Sequence, residues 1–309
     1  MMKRAIVGYT GFVGSNIYAS GDFDGAYNTR NIQDSFGTCP DLLVYAGMRA
    51  EKFLANANPE RDYDLVLEAQ NNIERICPKR LVLISTIDVF KNPVNVDENS
   101  EIETEGLNAY GYNRYRLETW VRKNYPDALI VRLPGLFGKN IKKNFVFDLI
   151  NVIPSMLKKE KFEELSLRES ALKECYALQD NGFFKVKPLS DDARAALKKK
   201  FLELGFSALN FTDSRACYQF YNLARLWSDI EKALDSGITL WHPATEPVSA
   251  GELHKFITGK PFVNELNGVP ANYDYRTVHA ALFGGCAGYI ENKMSVMEQI
   301  RNFVEGTGR

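Results

Sequence analysis

Three glycines, Gly8, Gly11 and Gly14, follow the apolar run Ala5-Ile6-Val7 at three-residue steps, and small or apolar residues continue from them at helical spacing. The pattern predicts a strand, a tight turn and a helix N-terminus. Gly8 permits the sharp turn out of the strand, Gly11 leaves the backbone bare to a pyrophosphate, and Gly14 lets helix and strand pack closely. The chemistry on offer is anion binding by first-turn N–H groups and the helix dipole. Gly8, Thr10, Gly11, Phe12, Val13 and Gly14 are therefore the expected cofactor-binding residues of a dinucleotide site. A ligand-free glycine turn has the same spacing; the position of the motif on the first strand of the sequence favours the ligand.

The next segment, Gly25-Ala-Tyr-Asn-Thr-Arg30, reads as a short second strand. A site for NAD places Asp or Glu about 20 residues past the glycines to bind the ribose 2′-OH, whereas Arg there accommodates a 2′-phosphate. Here the place is held by Asn28, Thr29 and Arg30, with no carboxylate after Asp24, which favours NADP and leaves NAD open. Arg30 as a plain solvated cation is the alternative.

The elements that must position these residues follow in alternation. Asp41 to Gly47 is a continuous apolar run of strand length, as in buried parallel strands, and Ala46 and Gly47 at its carboxyl end would line the cofactor crevice. Pro59 to Cys77 carries apolar residues at three- and four-residue steps, predicting a helix stopped by Pro78. Arg80 to Ile84 is a strand, a helix is expected from Tyr110 to about Asn124, and Ala128 to Val131 is another strand. Alternating β and α elements predict an α/β fold with a doubly wound parallel sheet. Later signals are Ser190 and Gly205 as the ends of a helix, a capping box at Ser249 and Glu252, and a final amphipathic helix over 296–304.

The 309 residues are 45% hydrophobic and 25% charged with a net charge of -1, an ordinary globular composition without the basic excess that nucleic acid requires. No apolar run approaches the roughly 20 residues that span a bilayer, and no signal-peptide pattern precedes the first strand. The five cysteines lack C-x-x-C spacing and the three histidines lie far apart, so neither a disulfide framework nor a metal site is expected. A cytoplasmic location is the expectation.

The glycines at 8, 11 and 14, Ser85-Thr86 at a strand end, Tyr110-Gly-Tyr-Asn-Arg114 with Glu118, and Arg132-Leu-Pro-Gly-Leu-Phe-Gly138 together resemble the extended short-chain dehydrogenase/reductase family, the epimerases, dehydratases and reductases of nucleotide sugars. The resemblance implies a Rossmann sheet with a smaller C-terminal substrate-binding lobe. Residues 1–138 would be the NAD(P)-binding domain and 139–309 mainly the lobe, with a return to the core around 206–245. It implies that Thr86 orients the sugar oxygen and Tyr110 exchanges its proton. Ser85, Tyr110, Arg114, Leu133 and Pro134 would join the cofactor contacts, and Asp88 and Asn144 would meet a nucleotide-sugar substrate. A homodimer is compatible with it.

Two departures bear on the chemistry. Arg114 stands where the family has a Lys one helical turn from Tyr110. It keeps the charge that poises a phenol, but its planar fork cannot give up a proton. Ile87-Asp88 replaces the Asp-Glu pair of the family's dehydratases, which argues for 4-keto reduction or epimerisation over water elimination. The expectation is an NAD(P)-dependent oxidoreductase or epimerase; the alternative is a catalytically impaired sensor of the dinucleotide.

Overall fold

The structure, a computed structural model, describes residues 2–307. Two compact units divide the chain: Met1–Ile141 with Cys217–Val248 and Asn272–Gln299, and Lys142–Ala216 with Ser249–Ala271 and Ile300–Arg309.

The first unit is built on a six-stranded sheet. Strands β1 (Arg4–Val7), β2 (Gly25–Tyr27), β3 (Leu42–Tyr45), β4 (Leu81–Thr86) and β5 (Leu129–Leu133) are joined by the two-residue strand Leu240–Trp241, which pairs outside β5. The spatial order, from that last strand, is β5, β4, β3, β1, β2, with every pairing parallel. The central strands β3, β4 and β5 are rich in Leu, Ile and Val because both faces are covered.

One face packs on helix α1 (Phe12–Ser20) and the helix Leu226–Asp235, around Ile17, Trp227, Ile230 and Trp241. The other packs on α3 (Pro59–Ile76) and α4 (Ala109–Asn124), around Val66, Ile73, Ile76, Leu117 and Val121. Each such side chain removed from water contributes about 1.5–3 kcal/mol. Pro59 starts α3 at its first turn, and Pro78 follows its left-handed cap Cys77. The fold is a doubly wound Rossmann-type sheet, and the order of strands reverses between β1 and β3, the place where such sheets bind ligands.

A short helix α2 (Lys52–Ala57), which no periodicity announced, precedes α3. The second unit holds an antiparallel three-stranded sheet, Met156–Lys158 beside Phe183–Val186 beside Tyr176–Leu178. Its core includes Leu157, Leu165, Leu197 and Phe201, with Phe162 stacked on Phe184 at 3.8 Å. No helix among the described residues is long and apolar enough to cross a membrane.

Candidate active site

At the carboxyl end of β1 the chain turns at Gly8 with φ +90°, and a Cβ there would lie 2.4 Å from the Ala46 carbonyl oxygen. Only glycine permits both the left-handed backbone and the approach of the loop after β3. The Gly8 N–H donates to the Tyr27 carbonyl at 2.7 Å, so the end of β2 is tied to the same turn. A Cβ on Gly14 would meet the Gly8 carbonyl oxygen at 2.2 Å, which makes that glycine a packing requirement of helix against strand.

Gly11 differs from both. It caps α1 with an ordinary extended backbone (φ -78°, ψ 170°), and the nearest atom to its Cβ position is the Gly8 oxygen at 3.3 Å. A side chain at 11 therefore asks the Gly8 carbonyl to give by only a few tenths of an ångström, far less than at Gly8 or Gly14, and the bare position is what an approaching phosphate needs. The helix it opens carries no side-chain cap, so its first-turn donors and dipole are presented to a ligand. Thr10, Gly11 and Gly47 are exposed there, whereas Phe12 and Val13 pack their side chains onto the core and offer only backbone.

β2 ends at Tyr27, sooner than its apolar pattern suggested, because Asn28 and Asn31 brace a turn. The Asn28 side chain accepts the Arg30 N–H at 2.8 Å, and Asn31 accepts the Asn28 N–H at 2.7 Å. Arg30 is held exposed on this turn, three residues after Tyr27, whose carbonyl is bonded to Gly8.

Thr86 and Leu133 are register partners at the carboxyl ends of β4 and β5, with Pro134 following. After Thr86 the chain makes one turn of 3-10 helix, in which the Asp88 N–H donates to the Thr86 hydroxyl at 3.2 Å. Ile87 points into an apolar cluster with Val89, Phe90 and Tyr275. Gly111 brings α4 onto this turn, since a Cβ there would strike the Asp88 carbonyl oxygen at 2.1 Å. Asn108 caps the helix through the Gly111 N–H, and Asn56 from α2 accepts the Tyr110 N–H at 2.9 Å. The result sets Tyr110, 8% exposed, near enough to Thr86 for that hydroxyl to act on its phenol.

Burial pushes the Tyr110 phenol above its ordinary range. The Arg114 charge and the Thr86 hydroxyl pull it down, and Asp88 and Asp62 push it up. Arg114 does not reach for the hydroxyl: its guanidinium lies over the Tyr110 ring, 4.3 Å from the centroid. Its fork is occupied, one arm on the Asp62 carboxylate and the other on the Arg49 carbonyl oxygen. The expectation that Arg114 lowers the phenol holds for its own charge alone; desolvation outweighs it, and Asp62 neutralises part of it.

Asp62 was missed in the sequence, yet it left a signal. It lies in line with Val66, Ala69, Ile73 and Ile76 on the buried face of α3, and a carboxylate on such a stripe requires a partner. Asn113 donates to it as well, at 3.0 Å. Because both members of the pair are nearly inaccessible, Asp62→Asn should lower stability by about 3–5 kcal/mol, the cost of leaving a buried cation unpaired. Urea unfolding measures this, and a loss under about 1 kcal/mol would show that the pair does not hold Arg114 in place.

Two further groups join the site. The Lys52 ammonium sits 3.1 Å from Asp88 Oδ1, and the Tyr273 hydroxyl donates to the same oxygen at 3.0 Å. Ser85 turns the other way: its hydroxyl donates to Glu118 at 2.6 Å inside a buried network. There Arg132 holds Glu118 with three bonds of 2.7–3.1 Å and donates to His242 Nε2 at 3.3 Å. Burial and then the Arg132 charge push His242 down to about 3, so the ring is neutral, with Nε2 accepting and Nδ1 donating to the Arg276 carbonyl. Glu118 and Ser85 thus fasten α4 to β4 and β5, and the Ser85 hydroxyl is directed away from the crevice. Asn144 belongs to the second unit, where its side chain caps the helix Phe145–Asn151.

Comparisons with known proteins bear on the family and the fold. Residues 2–161 match the family model described as the RmlD substrate binding domain. No curated protein matches. Among solved structures, dTDP-4-dehydrorhamnose reductase from Bacillus anthracis in complex with NADP is 17% identical, with a TM-score of 0.63 over 99% of this chain and 100% of that one. RMD from Pseudomonas aeruginosa complexed with NADPH is 15% identical, with a TM-score of 0.59 over 98% of each chain. UDP-N-acetylglucosamine 4-epimerase from Methanobrevibacter ruminantium, in complex with UDP-N-acetylmuramic acid, is 14% identical, with a TM-score of 0.62 over 98% of this chain and 97% of that one. At such identities the likeness is one of fold.

Proposed function

The chain belongs to the RmlD substrate binding domain family, and from that premise we propose that it is an NADP-dependent reductase of a 4-keto nucleotide sugar. Support for the cofactor comes from the bare Gly11, the uncapped α1 and the exposed Arg30, and from the NADP and NADPH bound by similar folds. Gly8, Thr10, Gly11, Ala46 and Gly47 would hold the dinucleotide, with the backbone of Phe12, Val13, Leu133 and Pro134 beside it. The reduced cofactor supplies a hydride.

The observation that carries the reaction type is the Thr86–Tyr110 pair with its phenol pushed up by burial. A phenol held protonated through neutral pH is a proton donor, which is what a carbonyl oxygen needs as its carbon is reduced. Thr86 holds that oxygen, Tyr110 gives it the proton, and the Arg114 charge stabilises the phenolate without relaying a proton. Asp88, held by Lys52 and Tyr273, would accept a sugar hydroxyl. Ile87 in its apolar cluster leaves no second carboxylate there, which argues against water elimination. Epimerisation, the activity named for one similar fold, is the second reading, because Thr86 and Tyr110 serve it equally.

Oxidation of NADPH, followed by its absorbance with 4-keto sugars on dTDP, GDP and UDP, tests the reading directly. A sensor would bind NADP and turn over none of them. Arg30→Ala should raise the dissociation constant for NADP by roughly 10- to 100-fold, the size of a charge-assisted hydrogen bond of about 1.5–3 kcal/mol, and leave that for NAD unchanged. Native protein that binds NAD as tightly as NADP would remove Arg30 from the site.

A further inference from the structure

Cys39 and Cys77 are 38 positions apart in the sequence (77 less 39), yet the fold brings them together at the amino ends of β3 and β4. The Cys39 N–H donates to the Ile76 carbonyl at 3.0 Å, flanked by bonds from Gly37 to Arg75 at 2.7 Å and from Lys79 to Pro40 at 3.0 Å. Standard bond lengths then put the two Cα atoms within about 7 Å, the span that disulfides bridge. Both residues are free and exposed, and the Cys77 thiol is near enough to raise the Cys39 thiol.

The backbone adds an independent sign. Each cysteine stands directly before a proline, Pro40 and Pro78, and each has a left-handed conformation, φ 43° at Cys39 and φ 57° at Cys77. That region is uncommon for residues other than Gly, Asn and Asp. Backbone held in an unfavourable region by its surroundings is a sign of a functional constraint, and here the lacing of 37–40 to 75–79 holds the backbones of the two cysteines side by side without help from either side chain.

We propose that Cys39 and Cys77 are a redox modification site that closes reversibly into a disulfide, with a peroxide as oxidant and a small thiol as reductant. One cysteine, as thiolate, attacks a peroxide oxygen; an S–O bond forms, the O–O bond breaks, and the departing hydroxide takes a proton to become water, or an alcohol from an alkyl peroxide. The second sulfur attacks the sulfenic acid; the S–S bond forms, the S–O bond breaks, and the released hydroxide leaves as water with the second thiol's proton. Two thiols lose two electrons, which the peroxide gains. Two molecules of reducing thiol reverse this by exchange, ending as their own disulfide. Pairs of this transient kind occur where structural disulfides do not form. The Cys77 thiol pushes the Cys39 thiol up and the Lys79 charge pulls it down, so closure should quicken as pH rises toward the thiol range. The site is at the end of the sheet opposite Gly11 and Thr86, so closure braces the loop between β2 and β3 and spares turnover.

The test is oxidation of the full chain with hydrogen peroxide, followed by peptide mapping without reduction. The expected product is a peptide pair joined through Cys39 and Cys77, lost on treatment with dithiothreitol, together with a raised thermal midpoint. In Cys77→Ser the joined pair is absent and Cys39 is trapped by dimedone as sulfenic acid, with no rise in midpoint. Cys39 and Cys77 recovered as separate sulfinic or sulfonic acids, joined to other cysteines, or unmodified while Cys286 is oxidised would each overturn the proposal.

Discussion

Tyr110→Phe should lower turnover of a 4-keto nucleotide sugar by 10²- to 10⁴-fold, about 3–5 kcal/mol of barrier, with little change in the affinity for NADP or in stability. The ring stays where Gly111, Asn56 and Asn108 place it, and the stacking of Arg114 on its face is unaltered. Only the hydroxyl goes. A pH profile separates loss of the acid from loss of shape. Because burial raises the phenol, native turnover in the reductive direction should stay level through neutral pH and fall on the alkaline side, where the phenol gives up its proton. That alkaline limb should vanish in Tyr110→Phe. Full turnover by the variant would contradict the mechanism, and Asp88, beside Lys52 and Tyr273, would become the donor to examine.

Arg114→Lys sharpens the same experiment. A lysine can keep a bond to Asp62, but one ammonium does not reproduce a planar fork shared between a carboxylate and the Arg49 carbonyl. If arginine is a working substitute for the family's lysine, the variant stays within an order of magnitude of native turnover and shifts the alkaline limb. A native protein that turns over no candidate sugar while binding NADP would be the sensor.

Much of this site was legible before the structure because its signals are local. A strand running into Gly8, a proline at each end of α3 and the apolar stripe of that helix are determined by neighbouring residues, and β1, α3, β4, α4 and β5 fall where those patterns place them. What escaped is set by distance. The bond between Arg114 and Asp62 spans 52 positions, and that between Asp88 and Tyr273 spans 185. Helix α2 has only six residues, too few for a periodicity, and is held by the docking of Asn56 on α4. The direction of the Ser85 hydroxyl was not readable either, since a strand residue at the mouth of a crevice can face the ligand or the core. The buried Glu118 and Arg132 decide it.

Gly11→Val should abolish dinucleotide binding, raising the dissociation constant by roughly 100-fold or more, while the fold persists. The three glycines of the turn are unequal, and this inequality makes the test clean. At Gly8 a side chain would enter backbone atoms of the β3 loop from a left-handed conformation, and at Gly14 it would enter the Gly8 carbonyl, so substitutions there damage the protein whether or not it binds anything. At Gly11 the backbone is ordinary and the first contact is at 3.3 Å. Valine as a helix cap costs about 1 kcal/mol, a small shift in a thermal melt. A branched side chain in the space that a phosphate must enter costs at least about 1–3 kcal/mol of binding by overpacking alone. It also pushes the anion off the first-turn donors, and each 1.4 kcal/mol is a further tenfold. Isothermal titration with NADP and NADPH, beside a melting curve without ligand, measures both quantities on one preparation. Undiminished affinity in Gly11→Val would mean that the bare position serves no phosphate, and the cofactor site would have to be sought elsewhere on the chain.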